Sequence, residues 1–186
     1  MALATTSKRL VLIFCCIVLL PISIPGTAQE TTQDPTALLD HLAGDWVLAG
    51  TLGGKESTHD IQADWVLNRE YLRLHEVSRE KKANGDPAYE AIVFISWEAK
   101  AQQYTCLWLD NTAGGGLSVP VARAKREKYS IPFVWVLSPA DSLHTTFTYD
   151  KGSDTWKLTI DDVKNGKADR FADVTLTRSP ARKTGR

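Results

Sequence analysis

The sequence predicts an all-β protein: an antiparallel up-and-down β-barrel of about ten strands, preceded by one short helix. Runs rich in β-branched and aromatic residues recur through most of the chain, separated by clusters of glycine, proline, asparagine and aspartate. No second helical pattern lies between these runs, which disfavours a parallel sheet with crossover helices. A closed barrel is favoured over an open sandwich because closure removes the exposed edges that such long strands would present.

Residues 1–28 form a predicted signal peptide that precedes the folded domain. Lys8 and Arg9 give a positive start, the run 10–20 is apolar throughout, and small residues lead up to Ala28. An apolar run of about eleven residues is too short to span the roughly 30 Å hydrocarbon core of a membrane. We therefore expect cleavage after Ala28 and export to the periplasm or beyond, with no transmembrane segment in the mature chain.

The mature chain of about 158 residues has the size of one domain. We predict the barrel over residues 29–178 and a flexible basic tail over 179–186. Without the leader, 20 basic residues face 22 acidic ones, a net charge of −2 that gives no basic footprint for nucleic acid. Cys106 is then the one remaining cysteine, so an intramolecular disulfide is excluded. The oligomeric state is left open.

The predicted elements follow from turn residues and hydrophobic periodicity. Asp34-Pro35 supplies a helix start, and Leu38, Leu39 and Leu42 follow at helical spacing. The ten predicted strands cover residues 46–52, 59–67, 71–79, 89–98, 103–110, 117–125, 128–137, 143–149, 155–163 and 170–177. In the fifth strand Tyr104, Cys106, Trp108 and Asp110 share one face, a pattern that suits a barrel wall around a cavity.

Four short motifs resemble an uncharacterised bacterial family of lipocalin-like, calycin-type barrels of unknown function. They are Leu42-Ala43-Gly44-Asp45-Trp46, Asn68-Arg69-Glu70-Tyr71-Leu72, the pattern Trp97-Glu98 through Tyr104 to Trp108-x-Asp110, and Thr175-Leu176-Thr177-Arg178. The resemblance covers nearly the whole mature chain. It implies the barrel fold and favours bacterial export to the periplasm or beyond, and it leaves the activity and the source organism open.

Two better-understood kinds of barrel with similar architecture bind their ligands through specific residues, and this chain can be compared with them at those residues. Fatty-acid-binding proteins hold a carboxylate with an Arg-x-Tyr pair on the last strands, and Arg170 and Arg178 stand in no such pair here. Nitrobindin-like barrels ligate haem iron through a late histidine, and His144 is the one late histidine. Alternation along its strand does not decide whether His144 faces inward.

Six tryptophans in a chain of this length suggest an aromatic cavity that binds a small apolar or aromatic ligand. The alternative is that they form ordinary core. The candidate ligand-binding residues are Trp46, Trp65, Tyr71, Arg73, His75, Trp97, Trp108, Asp110, Trp135 and Tyr149.

The polar candidates depend on strand register, which the sequence leaves open. Tyr71, Arg73 and His75 alternate on one strand face; inward they would anchor a polar head group, and outward they are solvated surface. Asp110 is either a contact at the barrel mouth or a turn residue that satisfies backbone amides. The sequence shows no metal-ligand spacing and no nucleophile motif, so we predict no metal, no cofactor and no catalytic residue.

The leading interpretation is an exported lipocalin-like barrel that binds a small, largely apolar molecule. One alternative is a small isomerase, cyclase or decarboxylase in which Tyr71, Arg73, His75 and Asp110 polarise a substrate. A haem-binding barrel is another. The last is an interaction module that recognises a cell-envelope protein through the barrel exterior and the basic tail.

Overall fold

The computed structural model describes residues 34–112, 118 and 120–180. The predicted signal peptide and residues 181–186 of the predicted tail lie outside the described residues. The elements are α1 (Ala37–Asp40), β1 (Gly44–Leu52), β2 (Lys55–Val66), β3 (Tyr71–Ser78), β4 (Glu90–Glu98), β5 (Gln103–Asp110), β6 (Ala122–Ala124), β7 (Ser130–Val136), β8 (Asp141–Asp150), β9 (Thr155–Lys164) and β10 (Lys167–Arg178).

The ten strands form a closed antiparallel barrel, which confirms the predicted fold class. Each strand pairs with the next along the chain, and β1 pairs with β10 to close the ring. The architecture is consistent with a calycin-like barrel. Among the described residues, no helix has the length and the apolar composition needed to cross a membrane.

The seam between β1 and β10, the strand pair that closes the barrel, brings together the first and the last of the four sequence motifs. Trp46 lies opposite Arg178, whose guanidinium carbon stands 3.8 Å from the centroid of the Trp46 ring. Arg178 also donates to the carbonyls of Ala43, at 2.7 Å, and His41, at 3.0 Å. Gly44 has φ +121°, and a Cβ atom there would lie 2.5 Å from the Arg178 Nη1 atom. Glycine therefore leaves room for the arginine that covers the tryptophan.

Several strand limits differ from the predicted ones because tight turns let pairing extend to the turn itself. β2 begins at Lys55 and β10 at Lys167, earlier than expected, directly after the turns at 53–54 and 165–166. All four turn residues have positive φ, which suits the twist of two-residue hairpins. By contrast, β6 is shorter than the predicted strand at 117–125. It covers residues 122–124 and pairs with β7 at one position, Arg123 with Val134.

Alternating burial along the strands places one face of each strand inside the barrel. On β3, Leu72, Leu74 and Glu76 are buried, and the residues between them are partly exposed. The same period of two continues on β4, where Val93 and Ile95 point inward. The interior is apolar over most of its length, and Glu76 is a charged exception to that pattern.

Candidate functional site

One end of the barrel is closed by α1 and the turn that follows it. The leucines of this segment are buried. The indole Nε1 of Trp46 donates a 2.7 Å hydrogen bond to the Leu42 carbonyl, and that of Trp156 donates a 3.3 Å bond to the His41 carbonyl. The Tyr104 hydroxyl donates to the carbonyl of Pro35 in the same way. Polar atoms of the barrel wall thus fix the helix in place as a plug.

Four predicted site residues lie at this closed end: Trp46, Trp65, Trp97 and Tyr149. Trp65 donates a 2.8 Å hydrogen bond to the carboxylate of Asp40. Trp97 meets the ring of Tyr104 edge-on, with centroids 4.9 Å apart. Tyr149 stacks on a histidine ring of the turn after α1, with centroids 4.5 Å apart. These residues pack the plug against the barrel, and none of the four lines the cavity described next.

The opposite end of the barrel contains a cavity of about 880 Å³. This volume lies within the range of small-molecule sites, roughly 300–1,000 Å³. Its lining includes the open-end halves of β1, β2, β3, β5, β8 and β9, together with parts of the adjoining loops. Of the ten predicted site residues, Trp108, Asp110 and Trp135 line it.

One arc of the wall, formed by β7, β8, β9 and β1, supplies apolar side chains to the lining. It includes Leu48, Leu143, Leu158, Ile160 and Trp135. These side chains provide the desolvated surface that a hydrocarbon or aromatic ligand needs. The ring of Trp108 meets that of Trp135 edge-on, with centroids 6.4 Å apart and planes at 78°.

Most of the polar lining comes from a different arc, on β2, β3, β5 and the loop before β4. At its centre are His59 and Glu76, which are 3% and 5% exposed. The Nδ1 atom of His59 hydrogen-bonds to the Oε1 atom of Glu76. A buried carboxylate is costly unless it is paired, so the imidazole compensates part of that cost.

Ser57 and Glu80 extend this pair toward the open end. The Ser57 hydroxyl lies 2.9 Å from Nε2 of His59 and 3.1 Å from Oε2 of Glu80. When Nδ1 of His59 donates to Glu76 and the imidazole is neutral, Nε2 accepts a hydrogen bond from the Ser57 hydroxyl. When the imidazole is protonated, Nε2 donates to the Ser57 oxygen, and the Ser57 hydroxyl donates to Glu80. The Glu80 backbone N–H, the Thr58 N–H and the Ser57 hydroxyl lower the pKa of the Glu80 carboxyl. A proton can therefore be transferred along the hydrogen-bonded series of four side chains, Glu76, His59, Ser57 and Glu80.

Tyr89 links the polar arc to the tryptophans. Its ring stacks on His59 with centroids 5.4 Å apart, and its hydroxyl accepts a 2.8 Å hydrogen bond from Nε1 of Trp108. Burial raises the pKa of the Tyr89 phenol, and the negative charges of Glu76 and Asp110 raise it further. The hydroxyl is therefore neutral at physiological pH and has a proton to donate.

Asp110 takes part in a turn and also lines the cavity. Its Oδ1 atom accepts a 2.8 Å bond from the Thr112 backbone N–H and a 2.6 Å bond from the Thr112 hydroxyl. The same side chain borders the cavity. The two interpretations left open by the sequence are thus compatible.

The other polar candidates lie outside the barrel. Tyr71, Arg73 and His75 occupy the β3 positions between the buried ones. Arg73 donates to the carboxylate of Asp64 at 2.9 Å, and His75 pairs with Glu90 at 2.7 Å. These three residues are separated from Asp110 by the barrel wall, so they cannot act together with it on a molecule in the cavity.

The main polar residues of the site, His59, Glu76, Ser57 and Tyr89, were not among the sequence-predicted site residues. A signal for two of them was present in the alternation pattern. His59 continues the inward face that Ile61 begins, and Glu76 continues the face of Leu72 and Leu74. A polar residue that interrupts an otherwise apolar face indicates a functional position more strongly than an isolated tryptophan does.

His144 lies on the outward face of β8, because its neighbour Thr145 is 1% exposed and lines the cavity. Both ring nitrogens of the cavity histidine, His59, already have oxygen partners. Neither histidine offers a free inward nitrogen for haem iron. Among the residues that the structure describes, no group of three His, Cys, Asp or Glu side chains is placed to hold a metal ion.

Comparison with known proteins does not assign the chain to a family. No family model matches the chain, and no curated protein matches its sequence.

Proposed function

We propose that this protein binds a small, largely apolar molecule in the cavity at the open end of the barrel. The observation that carries this proposal is the cavity itself, about 880 Å³ in volume and lined mainly by apolar side chains. The plugged end supports it, because a barrel closed at one end and hollow at the other offers a ligand one route of entry. In this proposal the barrel carries or senses its ligand.

A neutral fluorescent probe, N-phenyl-1-naphthylamine, tests the proposal directly. Its emission rises in apolar surroundings, and we expect saturable binding to the purified protein at one site. Trp108 and Trp135 line the cavity, so energy transfer from tryptophan to the bound probe provides a second readout. A folded protein that neither enhances the probe's emission nor transfers energy to it would contradict the proposal.

Two matched substitutions locate the probe. Ile160 lines the cavity, and Ile160→Trp places a bulky ring in it. Val134 lies between the buried positions Phe133 and Trp135 on β7, so Val134→Trp adds the same ring outside. We expect the inward substitution to abolish or strongly weaken probe binding and the outward one to leave it unchanged. Equal binding by both variants would place the probe elsewhere.

We also propose that the protein works outside the cytoplasm, after removal of residues 1–28. The support is the sequence pattern of that segment: two basic residues, an apolar run and small residues before the cleavage point. N-terminal sequencing of the protein recovered from the periplasm or medium of a bacterial host tests this. We expect Gln29 as the first residue, and a retained Met1 would contradict it.

A second candidate function is proton-transfer catalysis in the same cavity. The observation that favours it is the run of Ser57, His59 and Glu76, in which the imidazole contacts both a hydroxyl and a carboxylate. The test incubates the protein with an organic cell extract and follows protein-dependent conversion of any compound by mass spectrometry. Conversion that is lost in His59→Gln would favour an enzyme, whereas a compound bound and released unchanged would favour a carrier.

A further inference from the structure

The polar arc of the cavity is rich in hydrogen-bond acceptors and poor in cations. Glu76, Glu80 and Asp110 all line it, and two more carboxylates, Glu56 on β2 and Asp162 on β9, also line the cavity. Among the described lining residues, Lys55 is the one lysine or arginine. A cavity with low-dielectric walls and one dominant sign of charge concentrates ligands of the opposite sign.

Glu76 is the most buried of these carboxylates. One of its oxygens, Oε1, is bonded to His59. Its other oxygen, Oε2, has no hydrogen-bond partner among the described residues, although the side chain is 5% exposed and lines the cavity. An unpaired carboxylate oxygen in the cavity wall can accept a charge-assisted hydrogen bond, so a ligand that donates there gains binding energy.

We propose that the bound molecule is an amphipathic amine whose cationic head group donates to Glu76 and whose apolar body lies against Leu158, Ile160 and Trp135. This inference rests on the proposed function and specifies its ligand class. The carboxylates stabilise a cation, the free oxygen of Glu76 can accept a hydrogen bond, and the apolar arc suits a hydrocarbon or aromatic body. An ammonium group meets the first two requirements at once.

The surrounding groups disfavour the opposite charge. A carboxylate ligand would face Glu76 and Asp110 in the polar arc, and like charges at close range repel each other. Arg73, the arginine nearest in sequence to Glu76 on β3, points outward and is bonded to Asp64. Burial raises the pKa of the Tyr89 phenol, and the negative charges of Glu76 and Asp110 raise it further, which agrees with a negative potential in the polar arc.

Displacement of N-phenyl-1-naphthylamine by three matched amphiphiles tests the inference at neutral pH: decylamine, decanol and decanoate. We expect decylamine to bind about tenfold more tightly than decanol, because a charge-assisted hydrogen bond is roughly twice as strong as a neutral one. Decanoate should bind most weakly. Equal displacement by the amine and the alcohol, or tighter binding of decanoate, would overturn the inference.

Two glutamates of β3 and β4 provide a matched pair of variants. Glu76→Gln removes the inward charge and keeps the side-chain shape, and Glu90→Gln does the same to the outward pair with His75. We expect Glu76→Gln to lose the tenfold preference for the amine and to bind decanol as before. Glu90→Gln should retain the preference. A preference that survives Glu76→Gln would overturn the assignment of the head group to this carboxylate.

Asp110→Asn is the alternative variant if Glu76→Gln does not fold, since an asparagine oxygen can still accept from Thr112. It should reduce amine binding and leave decanol binding unchanged; an unaltered preference would argue against a cation in this arc. The outcomes also separate the two proposals. Probe binding without selectivity overturns the amine inference alone, whereas no binding of the probe or any amphiphile overturns both.

Discussion

His59 and Glu76 form a hydrogen-bonded pair inside the barrel, between residues that are 3% and 5% exposed. One position earlier on β3, His75 forms the same kind of pair with Glu90, but on the outer surface. The described part of the chain therefore contains two histidine–glutamate pairs that differ mainly in burial. The inner pair lies in the wall of the cavity, and the outer pair is in contact with solvent.

The first prediction compares truncation of the two glutamates. Glu76→Ala leaves the buried His59 without its partner, and we expect it to lower the free energy of unfolding by about 1–3 kcal/mol. Glu90→Ala removes a partner that is 45% exposed, so a loss below about 1 kcal/mol is expected. Urea unfolding followed by circular dichroism measures both. Equal losses would mean that burial does not distinguish the pairs.

The second prediction concerns Arg178, which covers Trp46 and donates to two carbonyls of the segment after α1. Arg178→Lys keeps the charge but loses the planar fork that makes these contacts together. We expect it to destabilise the protein by about 1–3 kcal/mol, because it loses two hydrogen bonds worth about 0.5–1.5 kcal/mol each.

Arg79→Lys is the control for this substitution, because Arg79 pairs with Asp60 on the exposed surface. Its unfolding midpoint in urea should match that of the wild type. If Arg178→Lys also unfolds at the wild-type midpoint, the seam between β1 and β10 does not depend on the guanidinium.

The fold could be predicted because its determinants are local. Alternating apolar residues fix which face of a strand is buried, and glycine- and asparagine-rich turns fix where strands end. The limits that were missed depend on neighbours: β6 has three residues because it pairs with β5 at three positions, and it pairs with β7 at one, Arg123 with Val134. Pairing of that kind leaves no signal in the residues of β6 themselves.

The location of the site was harder to predict, because alternation shows which side chains point inward but not how far along the barrel they lie. In an up-and-down barrel, the starts of odd strands meet the ends of even strands. Trp46 stands near the start of β1, and Trp65 and Trp97 stand near the ends of β2 and β4, so all three lie at the plugged end. Trp108 and Trp135 stand near the ends of odd strands and lie at the cavity.

The polar arc depends on the register between β2 and β3, which the sequence does not specify. His59 lies directly opposite Ser78, and Glu76 lies opposite Ile61. The two members of the pair are therefore diagonal neighbours across the strands. A shift of one residue would have turned one of them to the outside.

The third prediction concerns Cys106, which is completely buried on β5. Burial raises the pKa of its thiol, so the reactive thiolate is scarce even at mildly alkaline pH. At pH 8 we expect no reaction with 5,5′-dithiobis(2-nitrobenzoate) in the native mature protein and one equivalent after unfolding in urea. Rapid labelling of the native protein would show that this part of the barrel opens easily.

The last prediction is a loss of stability at alkaline pH that depends on Tyr104. Burial raises the pKa of Tyr104 to about 12, with a smaller contribution from the charge of Asp34 and an opposing one from Arg126. The unfolded chain ionises near the ordinary value of 10, so the folded state holds the proton more tightly. Its contribution to stability is therefore complete below pH 10 and is lost as the pH rises toward 12.

Tyr104→Phe removes this titration together with the hydrogen bond to the Pro35 carbonyl. We expect the variant to be less stable than the wild type at pH 8, and the difference to shrink as the pH rises from 10 to 12. Other tyrosines titrate in both proteins, so the comparison isolates Tyr104. Urea unfolding at a series of pH values measures the difference, and a gap that stays constant across this range would show that Tyr104 ionises as freely in the folded protein as in the unfolded chain.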